Sequence, residues 1–525
     1  MCTSKQSALV TVACQRTRST LLPHLGLAVL VLAGCGDTVG GTDPGVPVDT
    51  TPPVVSSGQP SGMLAEGTIQ ATLRVTTDEA ATCKWDVVAG TAYAAMAGTF
   101  TATGSTAHDT AVTGLVDSQL YTYYVRCQDG AGNATTSDYV VSFGVGTVTV
   151  QRPFPQHETY TTGTIKPSHR TQVELDAAVT IYYDAWKASY LASAPVTGYY
   201  VAFETPCSAA LTVSEAHGYG MLVTVLMAGY DPDAQTLFDG LVAFYDRHRS
   251  SIDGDLMDWQ VACNDAAGGD DDSASDGDMD IAYALILADR QWGSAGTIDY
   301  LGEAIRMITS GIKASLIRQD TIMLGDWDSD PDTSRTSDWM IGHLRAYGEV
   351  TGETAFWSGV VEQTYAYIAH LQQVHASTTG LLPDFVINAR TDANPASAGF
   401  LEGAHDGHYY YNACRWPWRT AVEYAHYGDV RAKTALDQLI GWLRTTTSED
   451  PANIRAGYQL NGTVIGNYET AAFSAPFGAG ATVSSANQAY LNALWDRIVT
   501  MQEGYYEDTL NLLNMIYISG NWWKP

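Results

Sequence analysis

Two stretches of the chain place carboxyl groups where their neighbours could put them to chemical use. The first reads Ser214-Glu215-Ala216-His217-Gly218-Tyr219-Gly220-Met221. Ser214 is placed to cap a helix, which puts Glu215 in the first turn. There the helix dipole lowers a carboxyl pKa, while burial raises it. Where burial wins, Glu215 keeps its proton near neutral pH and serves as a general acid; otherwise it only improves the electrostatics of the helix start. The second stretch reads Ala274-Ser275-Asp276-Gly277-Asp278-Met279-Asp280-Ile281-Ala282, just after Asp270, Asp271 and Asp272. A calcium loop counted from Asp272 needs an oxygen ligand at its third position and Glu at its twelfth, and finds Ala274 and Tyr283. The Asp270–Asp272 run therefore reads as a solvated loop. No spacing suits zinc, so neither a metal nor a cofactor is expected.

Three further segments complete the set: Gly325-Asp326-Trp327, Arg335-Thr336-Ser337-Asp338 and Tyr411-Asn412-Ala413-Cys414-Arg415-Trp416-Pro417-Trp418-Arg419. Together the five resemble glycoside hydrolase family 8, over roughly Arg152 to the C-terminus. The resemblance implies an (α/α)6 barrel with a cleft across its open end, and endo-acting hydrolysis of β-1,4-glycans with inversion, without a metal. It makes Glu215 the proton donor and Asp276 the acid that binds and distorts the sugar at the cleavage subsite. It also draws Tyr219, Asn412 and Arg415 into the substrate site. The common pattern of the family has Asp where this chain has Asn412, and Asn cannot accept the proton of the attacking water. A subgroup that includes chitosanases and some β-glucanases shares the Asn. It is similar to this chain in placing the base on the preceding loop, where Phe400-Leu401-Glu402-Gly403 stands, so Glu402 is expected to be the base. Asp338 and Asp384 are next in line. Aromatic rings offer flat apolar platforms to sugar faces. Trp259 and Trp327 are the candidates, with Tyr506 a weaker one.

The elements that must position these residues divide the chain. Residues 1–35 read as an export segment: a weakly basic start, an apolar run from Leu25 to Ala33, and Leu32-Ala33-Gly34-Cys35, which resembles a bacterial lipobox with Cys35 lipidated. The run is too short to span a bilayer. The expected location is the cell surface or beyond, with contact to a membrane only through the anchor. Residues 36–53 are rich in Gly, Pro, Thr and Asp and read as a spacer. Residues 54–146 show β alternation at Ile69, Ala71, Leu73 and Val75, and again at Tyr121, Tyr123, Val125 and Cys127, with a turn at Asp129-Gly130-Ala131-Gly132-Asn133. The later run resembles a fibronectin type III sandwich. From residue 147 to 525 the period is helical, with Leu301, Ile305, Ile308 and Ile312 on one face. About a dozen helices are expected to pair into a barrel, interrupted by a long non-helical stretch from Gly380 to Tyr411. Cys83 and Cys127 share the small domain and can bridge in an oxidising compartment. The pairing of Cys207, Cys263 and Cys414 stays open.

Composition narrows the function. With 45% hydrophobic residues the 525-residue chain can bury a large core. A net charge of -30 makes nucleic acid a poor partner. A monomer acting on a polysaccharide is expected: chitosan, cellulose, mixed-linkage glucan or xylan, with chitosan or soluble β-glucan favoured over crystalline cellulose. Two other functions compete. One is a surface glycan-binding lipoprotein that has lost catalysis, for which Asn412 speaks and against which Glu402 speaks. The other is a polysaccharide lyase, which would need basic residues against uronates; 27 Lys and Arg beside 57 acids disfavour it.

Overall fold

A computed structural model describes residues 49–117, 119–146, 150–265 and 272–525. Cys35, most of the spacer, Asp270 and Asp271 lie outside the described residues.

The first part of the chain forms eight strands: β1 Val55–Gln59, β2 Gly62–Leu64, β3 Gln70–Thr77, β4 Ala81–Asp86, β5 Gly98–Thr99, β6 Ala107–Thr113, β7 Gln119–Asp129 and β8 Tyr139–Val145. They make a three-stranded sheet in the order β1-β3-β6 and a five-stranded sheet in the order β2-β8-β7-β4-β5. The alternation read in the sequence sends Leu73 and Val75 of β3, and Tyr123, Val125 and Cys127 of β7, into one buried cluster. Ile69 departs from it: it precedes β3 and is exposed. Cys83 and Cys127 face each other across β4 and β7 and are joined by a disulfide. The turn after β7 closes on Asp129, whose carboxylate accepts the N–H groups of Ala131, Gly132 and Asn133.

The rest is helical: α1 Gln172–Tyr190, α2 Ser214–Leu226, α3 Ala234–Arg247, α4 Ser275–Trp292, α5 Tyr300–Arg306, α6 Ile341–Thr351, α7 Thr354–Val374, α8 Ala389–Asp392, α9 Trp416–Tyr427, α10 Val430–Thr447, α11 Ala471–Ala481, α12 Gln488–Ile498 and α13 Tyr505–Ile518. The stripe Leu301, Ile305, Ile308 and Ile312 starts in α5 and runs on into a wider π-helical segment, Met307–Leu316. Helical periodicity in the sequence reaches most of these helices but not α11 and α13. Every residue of α11 is buried, and so is nearly all of α13. A helix surrounded by protein has no polar face, so it has no periodic stripe to read.

Helices α2 and α4 pack backbone against backbone, and glycines allow it. A Cβ on Gly277 would lie 2.4 Å from the Ser214 backbone carbon and hydroxyl. A Cβ on Gly218 would lie 2.7 Å from the Cβ of Asp280. The two acid-bearing segments are thereby brought side by side. Ser214 itself does not cap α2, contrary to the expectation from sequence: Val213 holds the cap position without a side-chain bond, and Ser214 is spent on the contact with Gly277. The stretch expected to lack helix, Gly380 to Tyr411, holds only α8 and two short strands, Phe385–Ile387 and Asn394–Pro395. No described helix is long and apolar enough to cross a membrane.

Candidate active site

Glu215 is the one residue of α2 that is not buried; its side chain keeps 16% of its surface open. A two-residue strand pair, Thr212–Val213 with Gln260–Val261, sets the start of this helix. The Ser214 N–H then donates to the Trp259 carbonyl at 2.9 Å, so Trp259 is tied to the acid by backbone. A disulfide between Cys207 and Cys263 joins the segments that flank this pair. Cys414 remains a buried thiol.

Arg415 enters from the start of α9 and is 2% exposed. One of its nitrogens, Nη1, donates to Glu215 Oε2, to Asp276 Oδ2 at 2.7 Å and to the Tyr219 hydroxyl at 3.2 Å. The other, Nη2, donates to Asn412 Oδ1 at 2.8 Å. On the far side, the Tyr505 hydroxyl donates to Glu215 Oε1 at 3.0 Å. Arg335 supplies the second guanidinium: Nη2 donates to Asp276 Oδ1 at 3.0 Å, Nε donates to Asp338 at 3.1 Å, and Nη1 lies 3.9 Å from Glu402 Oε1.

These surroundings separate the acids by protonation state. Burial drives the Glu215 carboxyl up; Arg415 pulls it back only in part, Asp276 adds repulsion, and the outcome is about 7. The carboxyl therefore holds its proton to a higher pH than a free glutamate does. Burial also opposes ionisation of Asp276, but Arg335 and Arg415 outweigh it and hold that carboxyl down at about 2. A protonated carboxyl and a permanent carboxylate thus share one arginine. That is the division of labour between a proton donor and a group that binds charge or hydroxyls.

Asn412 bridges toward Glu402. Its Nδ2 donates to Glu402 Oε2 at 2.8 Å and faces Asp384 Oδ2 at 3.4 Å, while its Oδ1 accepts from Arg415. The orientation of the amide follows from these partners: two acceptors on one side, a guanidinium on the other. An Asp here would bring a third carboxylate against Glu402 and Asp384. Asn412 therefore completes a hydrogen-bonded chain, Glu215–Arg415–Asn412–Glu402.

Three acids were candidates for a base, and exposure discriminates between them. Glu402 has 44% of its side-chain surface open. Asp338 has none, is bound by Arg335 and Ser337, and is pushed up to about 6 by burial. Asp384 is 3% exposed and burial pushes it up to about 7. A base must reach a water in the cleft, and of the three only Glu402 is open to one.

The aromatic and supporting residues fall into two groups. Trp259 and Trp327 are 40% and 42% exposed and present open faces. Trp327 follows Gly325, where a Cβ would lie 2.2 Å from the Ser273 carbonyl, and Asp326, which accepts from Ser250 Oγ at 2.6 Å and from the Ser273 N–H at 2.8 Å. The structure corrects the expectation that Tyr219 binds substrate. It is fully buried, and its hydroxyl serves Arg415 from below. Arg415, too, is spent on protein carboxyls and Asn412. Tyr506 is half-buried, with its hydroxyl donated to the Tyr411 carbonyl and its ring 6.0 Å from the Arg415 guanidinium. Sequence reasoning missed its neighbour Tyr505, which touches Glu215, and gave Arg335 no role. Arg335 stood in a motif already singled out, and a lone basic residue between two acid motifs was the available signal.

Comparison with known proteins places this geometry. The family model for Glycosyl hydrolases family 8 matches residues 170–520. A β-glucanase of Niallia circulans is 49% identical over 378 residues, covering 71% of this chain and 91% of that protein. An endoglucanase of Bacillus sp. (strain KSM-330) is 44% identical over 384 residues, covering 71% of this chain and 82% of its own. Among solved structures, the apo structure of β-1,3-1,4-glucanase from Paenibacillus sp. X4 is similar with a TM-score of 0.69 at 48% identity, covering 71% of this chain and 100% of that one. With a family match over most of its length and relatives this similar, the chain belongs to glycoside hydrolase family 8.

Proposed function

We propose that the protein is an endo-acting β-glucanase that hydrolyses soluble glucans containing β-1,4 linkages with inversion, on an (α/α)6 barrel preceded by a fibronectin type III-like domain. The observation that carries this reading is the contrast between Glu215, enclosed and held near pKa 7, and Glu402, open to solvent and bonded to Asn412. Glu215 protonates the glycosidic oxygen. Glu402 removes a proton from a water that attacks the anomeric carbon from the opposite face. The C–O bond to the leaving sugar breaks as the water oxygen bonds to carbon, and the Glu215 proton ends on the departing hydroxyl. Asp276, ionised and only 3% exposed between Arg335 and Arg415, acts on the site through its charge; the expectation from the resemblance that it touches the sugar directly does not fit this enclosure. Trp259 and Trp327 offer stacking platforms. Asn412 is then a bridge in a working site, which disfavours the reading as a binding protein that has lost catalysis.

Mixed-linkage β-1,3-1,4-glucan is the first substrate to test, because a structurally similar relative at 48% identity bears that activity in its name. Chitosan is the second, because the net charge of -30 on the chain favours a polycation. Release of reducing ends is expected to be fastest on mixed-linkage glucan, at least ten times faster than on crystalline cellulose. A rate on xylan above both soluble glucans and chitosan would overturn the assignment.

We also propose that the chain is exported, acts as a monomer and is lipidated on Cys35. The motif Leu-Ala-Gly-Cys after an apolar run supports this, and two disulfides suit an oxidising compartment. A fatty-acid probe supplied to a bacterial host should label the protein, and Cys35→Ala should abolish the label. Label that persists in Cys35→Ala rules the anchor out.

A further inference from the structure

Glu402 and Asn412 sit on the long segment between α8 and α9, where no α-helix holds them. Two buried aspartates do. Asp406, 3% exposed, accepts the backbone N–H groups of Leu401 at 2.8 Å and Glu402 at 3.2 Å on one oxygen, and that of Gly403 at 2.8 Å on the other. Asp384, equally buried, accepts the N–H groups of Tyr410 at 2.9 Å and Ala413 at 2.7 Å on Oδ1, and turns Oδ2 toward the Asn412 amide. Their backbones are also tied together: Phe385 N–H donates to the Asp406 carbonyl at 2.8 Å, and Asp384 N–H donates to the His408 carbonyl at 2.7 Å. A third bond, from Thr336 N–H to the Asp384 carbonyl at 3.1 Å, links the pair to the segment that carries Arg335. Beneath them Leu324, Phe385 and Ala396 form a small apolar cluster of their own.

We infer that Asp384 and Asp406 are positioning residues of the reaction, each clamping the backbone around one partner of the Glu402–Asn412 pair. The inference rests on the reading of Glu402 as the base. Buried carboxyl oxygens that accept several backbone N–H bonds are directional anchors, and an N–H left without its acceptor is costly. They are used here where no α-helix holds the chain, at the two points from which the water must be aimed. Misplacing a reacting group by about 1 Å can cost roughly 10²-fold in rate. Neither aspartate is open enough to meet substrate, so each acts through the backbone it holds.

The test is a kinetic cycle on the full chain with soluble β-glucan. Asp384→Asn and Asp406→Asn keep side-chain volume but replace one acceptor oxygen with an NH2 group that cannot accept. Each is combined with Glu402→Gln, and residual turnover is read in long incubations with a labelled oligosaccharide. Each single Asn variant is expected to lower kcat about 10- to 100-fold with KM changed less than twofold. In the Glu402→Gln background the same changes should cost less than twofold, because there is no base left to aim. An equal cost in both backgrounds, or an unchanged kcat, overturns the inference. So does a thermal melt showing that neither Asn variant folds, since the clamps would then be structural alone. If Glu402→Gln itself turns over normally, the failure lies in the assignment of the base and is recognised as such before the cycle is read.

Discussion

Glu402→Gln should lose roughly 10³-fold or more in kcat on a soluble β-glucan, while Asn412→Ala loses no more than about 10²-fold; a general base contributes about 10²- to 10⁴-fold. The two residues share a hydrogen bond of 2.8 Å, so loss of the bond alone would make the two variants alike. What separates them is the capacity to take a proton. Gln at 402 preserves the shape and can still hydrogen-bond the water, but it cannot carry the proton away. Ala at 412 removes the bridge to Arg415 and loosens Glu402 without removing its carboxylate. Steady-state kinetics on one substrate, with KM reported for both, reads the difference. Equal losses would show that Asn412 does more than hold its neighbour. A mild Glu402 defect would move the base to another group, and the enclosed Asp338 and Asp384 would have to be exposed by a rearrangement.

For Glu215→Gln the expected loss on the polysaccharide is about 10³- to 10⁴-fold, and it should depend on the leaving group. A sugar alkoxide cannot depart without a proton, whereas an activated phenolate can. On an aryl oligosaccharide with a nitrated phenol the variant should recover to within about tenfold of the parent enzyme. The pH profile carries a second signature. Burial raises Glu215 to about 7 despite Arg415. The proton donor is therefore loaded below that pH and is lost as pH rises through it, so kcat/KM should fall on an alkaline limb centred near 7. That limb should be missing when Glu215→Gln acts on the aryl substrate. A profile of the parent enzyme that stays flat to pH 9 would show that Glu215 does not donate the proton.

Much of this site was legible because its chemistry lies in compact motifs. Glu215 and Asp276 stand in segments whose glycines, Gly218 and Gly277, are required where two helices touch, so the motifs that carry the family resemblance also carry the packing. Glu402 was reached through the resemblance to the subgroup that shares Asn412 and carries its base on the preceding loop, where Phe400-Leu401-Glu402-Gly403 stands. Other features had no local signal. Tyr505 reaches Glu215 across 290 positions, and Arg335 reaches Asp276 across 59, so their roles exist only after folding. Tyr219 has the polar tip of a binding residue, and only the packing of α2 shows that its hydroxyl points inward to Arg415. Ser214 has the right type for a cap, yet tertiary contact with Gly277 claimed it. Helices α11 and α13 lack a polar face because protein surrounds them. In the first domain the alternation of β3 was visible from Ala71 onward, while Ile69 fitted the same period by chance and stays outside the strand.

The stereochemistry of the first turnover tests the account most directly. An open carboxylate and an enclosed acid facing each other across a water-filled gap, typically about 6.5–9.5 Å, give inversion; a gap of about 5–5.5 Å lets the second carboxyl attack the sugar itself. Proton NMR recorded in the first minutes of hydrolysis of a soluble β-glucan oligosaccharide distinguishes the anomers before they equilibrate. The α-anomer of the new reducing end should accumulate first, with the β-anomer following at the rate of mutarotation. The β-anomer appearing first would mean retention, and would make Glu402 a nucleophile rather than the base that activates water.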